Sequence, residues 1–230
     1  MFFWDPTYIM IIPAIILSIW AQYKVKSTFA KYSQVGSSRG TTGAELAAAL
    51  LRRGGLNSVK IEHVPGELSD HYDPGAKILR LSDSVYGSSS VAALGVAAHE
   101  VGHAFQHETS YLPLKLRNSL VPVANIGSMA AFPLILIGMF LHWANLAFIG
   151  VIVFTVVVAF QMVTLPVEFN ASRRAVALLA EGGYVTPQEK PMVEKVLRAA
   201  ALTYVAAAVV AIMELLRFVV MLGFLGGNDD

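Results

Sequence analysis

The first informative property of this sequence is an absence, because its 230 residues include no cysteine. Without cysteine the chain can form neither a disulfide bond nor a metal site with thiolate ligands. A metal site, if the chain has one, must therefore be built from histidine and carboxylate ligands. The absence of cysteine is compatible with a reducing compartment.

Charged residues are also scarce. Only 14% of the residues are Asp, Glu, Lys or Arg, whereas 55% are hydrophobic and the mean hydropathy is +0.58. A soluble domain carries about a quarter charged residues, so this composition indicates a membrane protein with the lipid bilayer as a partner. The net charge is only +1 and no basic run occurs, so nothing in the sequence supports a nucleic-acid partner.

Four apolar stretches are long enough to cross about 30 Å of hydrocarbon. They comprise approximately residues 8–23, 120–141, 144–165 and 202–225. The first is the shortest and contains Pro13, and because Asp5 rather than a basic residue precedes it, it is unlike a cleaved signal peptide. The sequence therefore predicts four transmembrane helices.

The basic residues are distributed unevenly among the segments between these stretches. Of the 17 Lys and Arg residues, 11 lie in residues 24–117 and five in residues 173–198, whereas the two termini and the turn at residues 141–144 have none. Basic loops tend to remain on the cytoplasmic side. We therefore predict a multi-pass protein of the cell membrane with two cytoplasmic loops and both termini outside.

These observations divide the chain into five segments. They are a first transmembrane helix (1–23), a cytoplasmic domain (24–118), transmembrane helices two and three (119–166), a second cytoplasmic segment (167–201), and a fourth transmembrane helix with a short outer tail (202–230). The predicted fold class is a mainly α membrane protein that carries a small α+β cytoplasmic domain.

Local signals predict the elements of the cytoplasmic parts. Capping boxes at residues 42–45 and 186–189 predict two helix starts, and the second helix should run straight on into the fourth span. Pro187 would occupy the first position of that second helix. Alternating residues at 59–64 and the segment 77–81 predict two strands, separated by turn residues.

Residues 91–107 carry the motif that indicates chemistry. They read as a helix that follows three serines and contains no proline. Because a helix turns by about 100° per residue, His99 and His103 present their imidazoles from one face. Glu100 is close enough to act as general base for a water on the same metal. The motif predicts a hydrolytic zinc site, and its helix is too short to span a membrane.

A catalytic zinc ion usually takes three protein ligands, so a third must come from elsewhere. Apart from acidic residues, the remaining candidates are His63, His71, His107 and His142. His142 falls on the opposite side of the membrane, and His107 lies too far along the helix because ligands at i, i+4 and i+8 drift by about 40° per step. Glu168, at the cytoplasmic end of the third span, is better placed, with His63 and His107 as the alternatives.

Four segments of the chain together resemble a known family. Residues 71–74, 79–86, 99–107 and 165–175 look like the corresponding parts of the YugP-like neutral zinc metallopeptidases of prokaryotic membranes. The resemblance covers most of the chain, including the four-span layout, which is also similar to that of the HtpX-like membrane proteases. It implies a zincin-like domain of the gluzincin type, in which a glutamate on a later helix is the third ligand. That position is Glu168 here.

The resemblance also implies a support for the first histidine ligand. In gluzincins an aspartate four residues after the glutamate ligand orients that histidine, and this sequence has Ser172 at the position. Either Ser172 or Asn170 is expected to take over the supporting hydrogen bond.

The sequence thus predicts a zinc endopeptidase that acts at the cytoplasmic membrane surface. Zn²⁺ would be bound by His99, His103 and Glu168, and Glu100 would be the base. Candidates for substrate contact, transition-state stabilisation or support of the ligands are His71, Tyr72, His107, Arg173 and Tyr184. Residues 77–81 are the expected edge strand for an extended substrate. Because Glu168 follows the third span closely, we expect membrane proteins or unfolded segments as substrates.

Two other classes of protein fit parts of the sequence. A catalytically idle zinc-binding scaffold would recruit membrane partners, but the presence of Glu100 beside two histidines argues against it. A small transporter is supported only by Glu214 and Arg217, which lie at i, i+3 spacing within the fourth span, and a structural ion pair is the simpler interpretation. The sequence is compatible with a homo-oligomer or with a regulatory membrane partner.

Overall fold

The structure is a computed structural model that describes residues 6–226. The helices, which follow a 3₁₀ turn at Pro6–Met10, are α1 (Ile12–Ser33), α2 (Gly43–Arg53), α3 (Asp83–Tyr86), α4 (Val91–Glu108), α5 (Leu112–Phe140), α6 (Ala144–Glu181) and α7 (Lys190–Gly226). The strands are β1 (Lys60–Val64), β2 (His71–Asp73) and β3 (Ile78–Ser82). Within the described range, residues 6–21, 116–165 and 203–226 form one unit, here called the apolar unit. Residues 22–115 and 166–202 form the other, called the mixed unit.

Three helices in the described part of the chain are long and apolar enough to cross a membrane. They are Leu112–Phe140, Ala144–Glu181 and Lys190–Gly223, and they contain the third predicted span and all but the last one or two residues of the second and fourth. The first predicted span begins in the 3₁₀ turn and continues into α1, which is not one of these three helices. The physical reason is that the second half of α1 carries Lys24, Lys26 and Lys31 in place of apolar residues. The predicted outer tail lies largely beyond residue 226, outside the described residues.

Helix α6 extends well beyond the apolar run from which the third span was predicted. The run ends at Leu165, but the helix continues through Pro166 as far as Glu181. Side chains at four-residue intervals on this extension are buried, namely those of Val167, Ala171, Ala175 and Leu179. Burial of one face stabilises the extension, although the proline lacks an N–H for the helical ladder. Glu168, Asn170 and Ser172 therefore lie on a regular helix.

The mixed unit has a continuous hydrophobic core. Its buried members come from α2, β3, α4, the end of α6 and the start of α7, and include Leu46, Leu50, Leu79, Leu81, Leu94, Val101, Leu179 and Val193. Helix α4 contributes the largest share, since most of its residues from Val91 to Ala104 are buried. The helix that carries the motif is thus held by the core on most of its circumference.

The predicted helix starts have different outcomes. The capping box at Thr42 is confirmed, because its hydroxyl accepts from the Glu45 N–H and the Glu45 carboxylate accepts from the Thr42 N–H. The reciprocal hydrogen bonds of Thr186 and Glu189 also form. However, residues 187–189 form a turn, so Pro187 does not begin the helix, which starts at Lys190. As predicted, α7 then runs without interruption through the fourth apolar stretch.

The sheet corrects one expectation from the sequence. Its strand order is β1-β3-β2, with β1 parallel and β2 antiparallel to β3. The segment 77–81 therefore belongs to the central strand and cannot be the edge that receives a substrate. The sequence did not indicate β2, because a strand of three residues is too short to show an alternating pattern. The edge strands are β1 and β2.

In the apolar unit, several side chains contact the guanidinium group of Arg217. It pairs with Glu214, its Nε donates to the Thr7 hydroxyl at 3.1 Å, and its guanidinium lies 3.8 Å from the centre of the Tyr8 ring. The Arg217 side chain is buried. A buried arginine held by an ion pair, a hydroxyl and an aromatic ring has the arrangement expected of a structural charge.

Candidate metal centre

Helix α4 places the two motif histidines side by side. The ring centroids of His99 and His103 are 4.8 Å apart and the rings are nearly perpendicular, at 87°. The helix begins where the Ser90 hydroxyl accepts from the Ala93 N–H, and it has no interior proline. The spacing i, i+4 therefore brings both imidazoles to one point on the helix face.

Glu168 reaches the same point from α6. Its Oε2 lies 3.2 Å from Nε2 of His99 and 3.6 Å from Nε2 of His103, and its side chain is 2% exposed. One ligand atom from each of the three residues lies within 4.8 Å of the others. A tetrahedral zinc site with bonds of about 2.0–2.2 Å separates its ligand atoms by about 3.3–3.6 Å. The three residues thus fit a zinc ion in both chemistry and spacing.

The electrostatics of the cluster favour a positive charge at this point. Burial by itself disfavours protonation of His103, but the hydrogen bond that the protonated ring donates to Glu168 and the charge of Glu100 outweigh it. The pKa of His103 is therefore raised above its ordinary value. Two carboxylates beside two imidazoles provide the negative charge that a bound divalent cation would neutralise.

Glu100 lies next to the ligands but is not tied to any of them. Its side chain is buried, and among the described residues no group forms a hydrogen bond with its carboxylate. Burial raises the pKa of Glu100, with a smaller raising effect from the charges of Glu168 and Asp70, while the two histidines lower it. An unpaired carboxyl group with a raised pKa has the properties of a proton acceptor and donor.

Both candidate histidine ligands have a hydrogen-bonding neighbour at their second ring nitrogen. Nδ1 of His99 lies 3.2 Å from the Ser172 hydroxyl, at the position where the family resemblance had pointed to Ser172 or Asn170. Nδ1 of His103 lies 3.0 Å from Oε1 of Gln106. Asn170 contacts Gln106 rather than a ligand, with its Oδ1 3.0 Å from Nε2 of Gln106.

Gln106 is the residue of this site that the sequence analysis missed. It is fully buried on α4, three residues after His103. Its spacing from His103 was the available signal, because residues at i and i+3 share a helix face.

The remaining candidates contact residues other than His99, His103 and Glu168. The Tyr72 hydroxyl is 3.0 Å from Nδ1 of His107, so this pair links strand β2 to the motif helix. His71 is exposed and contacts the Ser69 carbonyl and Arg80. His63, the other alternative for the third ligand, pairs with Asp83.

Two candidates do not join the cluster. Arg173 is exposed on α6. The ring of Tyr184 instead lies 5.2 Å from the Arg39 guanidinium.

Gly102 allows α4 and α6 to approach closely enough for Glu168 to meet the histidines. A Cβ built on Gly102 would lie 2.8 Å from the carbonyl oxygen of Ala171 and 3.2 Å from its Cα. Backbone atoms cannot move aside as a flexible side chain does, so any larger residue here must push α6 away. The glycine between Val101 and His103 thus has a packing role.

We expect Gly102→Ala to destabilise the protein by about 1–3 kcal/mol, as overpacked sites do, and to weaken zinc binding. Gly95→Ala is the matched control, since the same helix gains the same alanine. There the new Cβ meets only the Val193 side chain, at 3.3 and 4.0 Å. Thermal unfolding and zinc affinity of both variants provide the measurement. If Gly102→Ala is as stable as Gly95→Ala and binds zinc equally well, the close approach has no role in the site.

The known proteins that this chain resembles are described as metallopeptidases or proteases. The model of a family described as "Putative neutral zinc metallopeptidase" matches residues 7–223. A curated relative, "Putative membrane protease YugP" of Bacillus subtilis (strain 168), is 52% identical over 219 residues, which cover 95% of this chain and 96% of the relative. No solved structure matches the chain.

Proposed function

Since this chain belongs to the neutral zinc metallopeptidase family, we propose that it is a zinc-dependent membrane endopeptidase of the gluzincin type. The observation that carries the proposal is the convergence of Glu168 with His99 and His103, 3.2 and 3.6 Å away, beside an unpaired Glu100. Three ligands leave a zinc ion one open position, as in catalytic rather than structural sites.

The chemistry follows from the roles of these side chains. His99, His103 and Glu168 would hold Zn²⁺, which when bound acts as a Lewis acid toward water and the scissile carbonyl. A carboxylate oxygen of Glu100 takes a proton from the attacking water and then delivers it to the nitrogen of the leaving amine. The buried position of Glu100 supports this double role, because a raised pKa makes the protonated form accessible.

For an extended substrate, we propose strand β2 as the pairing edge in place of the central strand β3. Among the described strands β2 pairs only with β3, which leaves its other side available for main-chain hydrogen bonds. Its Tyr72 contacts His107 on the motif helix. This contact favours Tyr72 over His71, Arg173 and Tyr184 as the residue that would stabilise the developing oxyanion.

We further propose four transmembrane helices, a cell-membrane location, and an active site at the cytoplasmic membrane surface. The first half of α1 supports a fourth span, since Ile12, Ile16, Ile19 and Trp20 are all exposed. Exposed apolar side chains on one helix are expected to face lipid. In the sequence Glu168 follows the end of the third apolar run by three residues, or about 5 Å of helix, which favours membrane proteins or unfolded segments as substrates.

The proposed topology predicts which single cysteines react with an impermeant thiol reagent in intact cells. The natural chain has no cysteine, so no background labelling is expected. Ser58→Cys should be labelled only after permeabilisation, whereas Asn228→Cys and Phe3→Cys, both outside the described residues, should react directly. Protection of Phe3→Cys would indicate three spans. A reversed pattern at Ser58 and Asn228 would overturn the orientation.

The two alternative functions have less support. An idle zinc scaffold has no need of the unpaired, buried Glu100 beside its ligands. The transporter hypothesis rested on Glu214 and Arg217, and Arg217 is held by structural contacts. A homo-oligomer or a regulatory partner is compatible with either function. The experiment that tests the peptidase is cleavage of an unfolded membrane-protein substrate by wild type and by Glu100→Gln.

A further inference from the structure

A chain of hydrogen bonds leads from the zinc-binding cluster into the space between α4 and α6. His103 Nδ1 contacts Oε1 of Gln106 at 3.0 Å, and Nε2 of Gln106 donates to the Val167 carbonyl at 2.8 Å and to Oδ1 of Asn170 at 3.0 Å. Asn170 Oδ1 also accepts from Nε of Arg174 at 2.8 Å. All members of the chain belong to the mixed unit.

The orientation of each amide in this chain is determined by its neighbours. The Val167 carbonyl can only accept a hydrogen bond, so it must face the NH₂ group of Gln106. The Arg174 Nε–H can only donate, so it must face the oxygen of Asn170. Both N–H groups of Gln106 are thereby used, and only its oxygen is left for His103.

This orientation in turn determines the tautomer of His103. An amide oxygen cannot donate, so Nδ1 of His103 must carry the hydrogen. The lone pair of the neutral ring then lies on Nε2, the nitrogen 3.6 Å from Glu168. The Ser172 hydroxyl can either donate or accept, so the corresponding contact does not determine the tautomer of His99.

We propose that Gln106 is the positioning residue for His103, and that Asn170 and Arg174 hold it in the orientation that presents Nε2 to the metal. The proposal rests on the zinc site of the proposed function but not on peptidase activity. It predicts that the site fixes a hydrogen on Nδ1 before zinc arrives, so that neither a ring flip nor transfer of that hydrogen is required for binding. Loss of the amide should then weaken metal binding in particular, beyond its effect on folding.

Gln106→Met tests this with a side chain of similar length that lacks the acceptor. We expect zinc affinity, measured by competition with a chromophoric chelator, to fall by about 10–100-fold, as for lost supports of other metal-binding histidines. In the ¹⁵N spectrum of metal-free, histidine-labelled protein, recorded at a pH high enough for the rings to be neutral, one ring should change from the pure Nδ1–H form to a mixture of tautomers. Asn170→Leu should produce a smaller change of the same kind, whereas Asn170→Asp, which keeps the accepting oxygen, should not.

Ser82→Ala is the control for a purely structural effect. Ser82 is also fully buried, and its replacement by alanine removes a hydrogen bond to Asp70 that does not involve a zinc ligand. It should lower the melting temperature and leave zinc affinity and the histidine spectrum unchanged. If Gln106→Met and Asn170→Leu both bind zinc as wild type does, or weaken it no more than Ser82→Ala, the proposal is wrong. Failure of wild type to cleave any substrate would contradict the peptidase and leave this result intact.

Discussion

Replacement of Glu100 by glutamine is expected to lower peptide cleavage by at least about a thousandfold while zinc remains bound at close to one ion per chain. The substitution keeps the size of the side chain and leaves His99, His103 and Glu168 in place. It removes the only carboxylate beside the ligands that has no hydrogen-bond partner among the described residues. The measurement is metal content together with the cleavage rate of an unfolded membrane-protein substrate.

The control for this experiment lies on the same helix. Glu108, the last residue of α4, is exposed, and Glu108→Gln should retain nearly full activity. Equal cleavage by Glu100→Gln and wild type would remove the enzymatic role of the motif. Loss of zinc from Glu100→Gln would mean that the residue acts in binding rather than in proton transfer.

Replacement of Glu168 by glutamine should weaken zinc binding by more than about a hundredfold, beyond the 10–100-fold range typical of residues that only support a ligand. Glu168 is buried and its Oε2 lies within 3.6 Å of both imidazoles. A neutral amide supplies a weaker ligand and removes the negative charge next to two nitrogens that face the metal. Cleavage should fall in proportion to bound zinc, and excess zinc should restore part of it.

Glu181→Gln provides the matched comparison, since Glu181 ends the same helix and is exposed. It should bind zinc as wild type does. If Glu168→Gln also does so, then the third ligand is another residue. In that case the substitution of His107, which contacts Tyr72, is the next experiment.

Features encoded over a few residues could be predicted from the sequence. The pair His99 and His103 follows from helical periodicity, the start of α2 follows from the Thr42 capping box, and the long apolar helices follow from composition. In these cases local spacing alone determines the structure, because the partners lie within one or two helical turns. The exceptions, α1 and the start of α7, concern helix ends and a mixed apolar and basic segment, where local signals compete.

Contacts between distant segments depended on the tertiary structure. Glu168 could be ranked first among the third-ligand candidates, but His63 and His107 remained open until α6 was seen to continue past Pro166. The role of Gly102 depends on the Ala171 backbone, and the position of β3 at the centre of the sheet depends on a three-residue strand. Neither the backbone of Ala171 nor the three-residue strand β2 leaves a periodic signal in the sequence.

The sequence by itself thus determined that one helix presents His99 and His103 from the same face, and it determined the long apolar helices. The tertiary structure decided which side chains meet the two histidines. The Glu168 carboxylate lies beside them, the Ser172 hydroxyl contacts His99, and the Gln106 amide contacts His103. The physical reason is that a helix face is set by residues three and four apart, whereas α4 and α6 meet only because a shared core packs residues about seventy positions apart against each other.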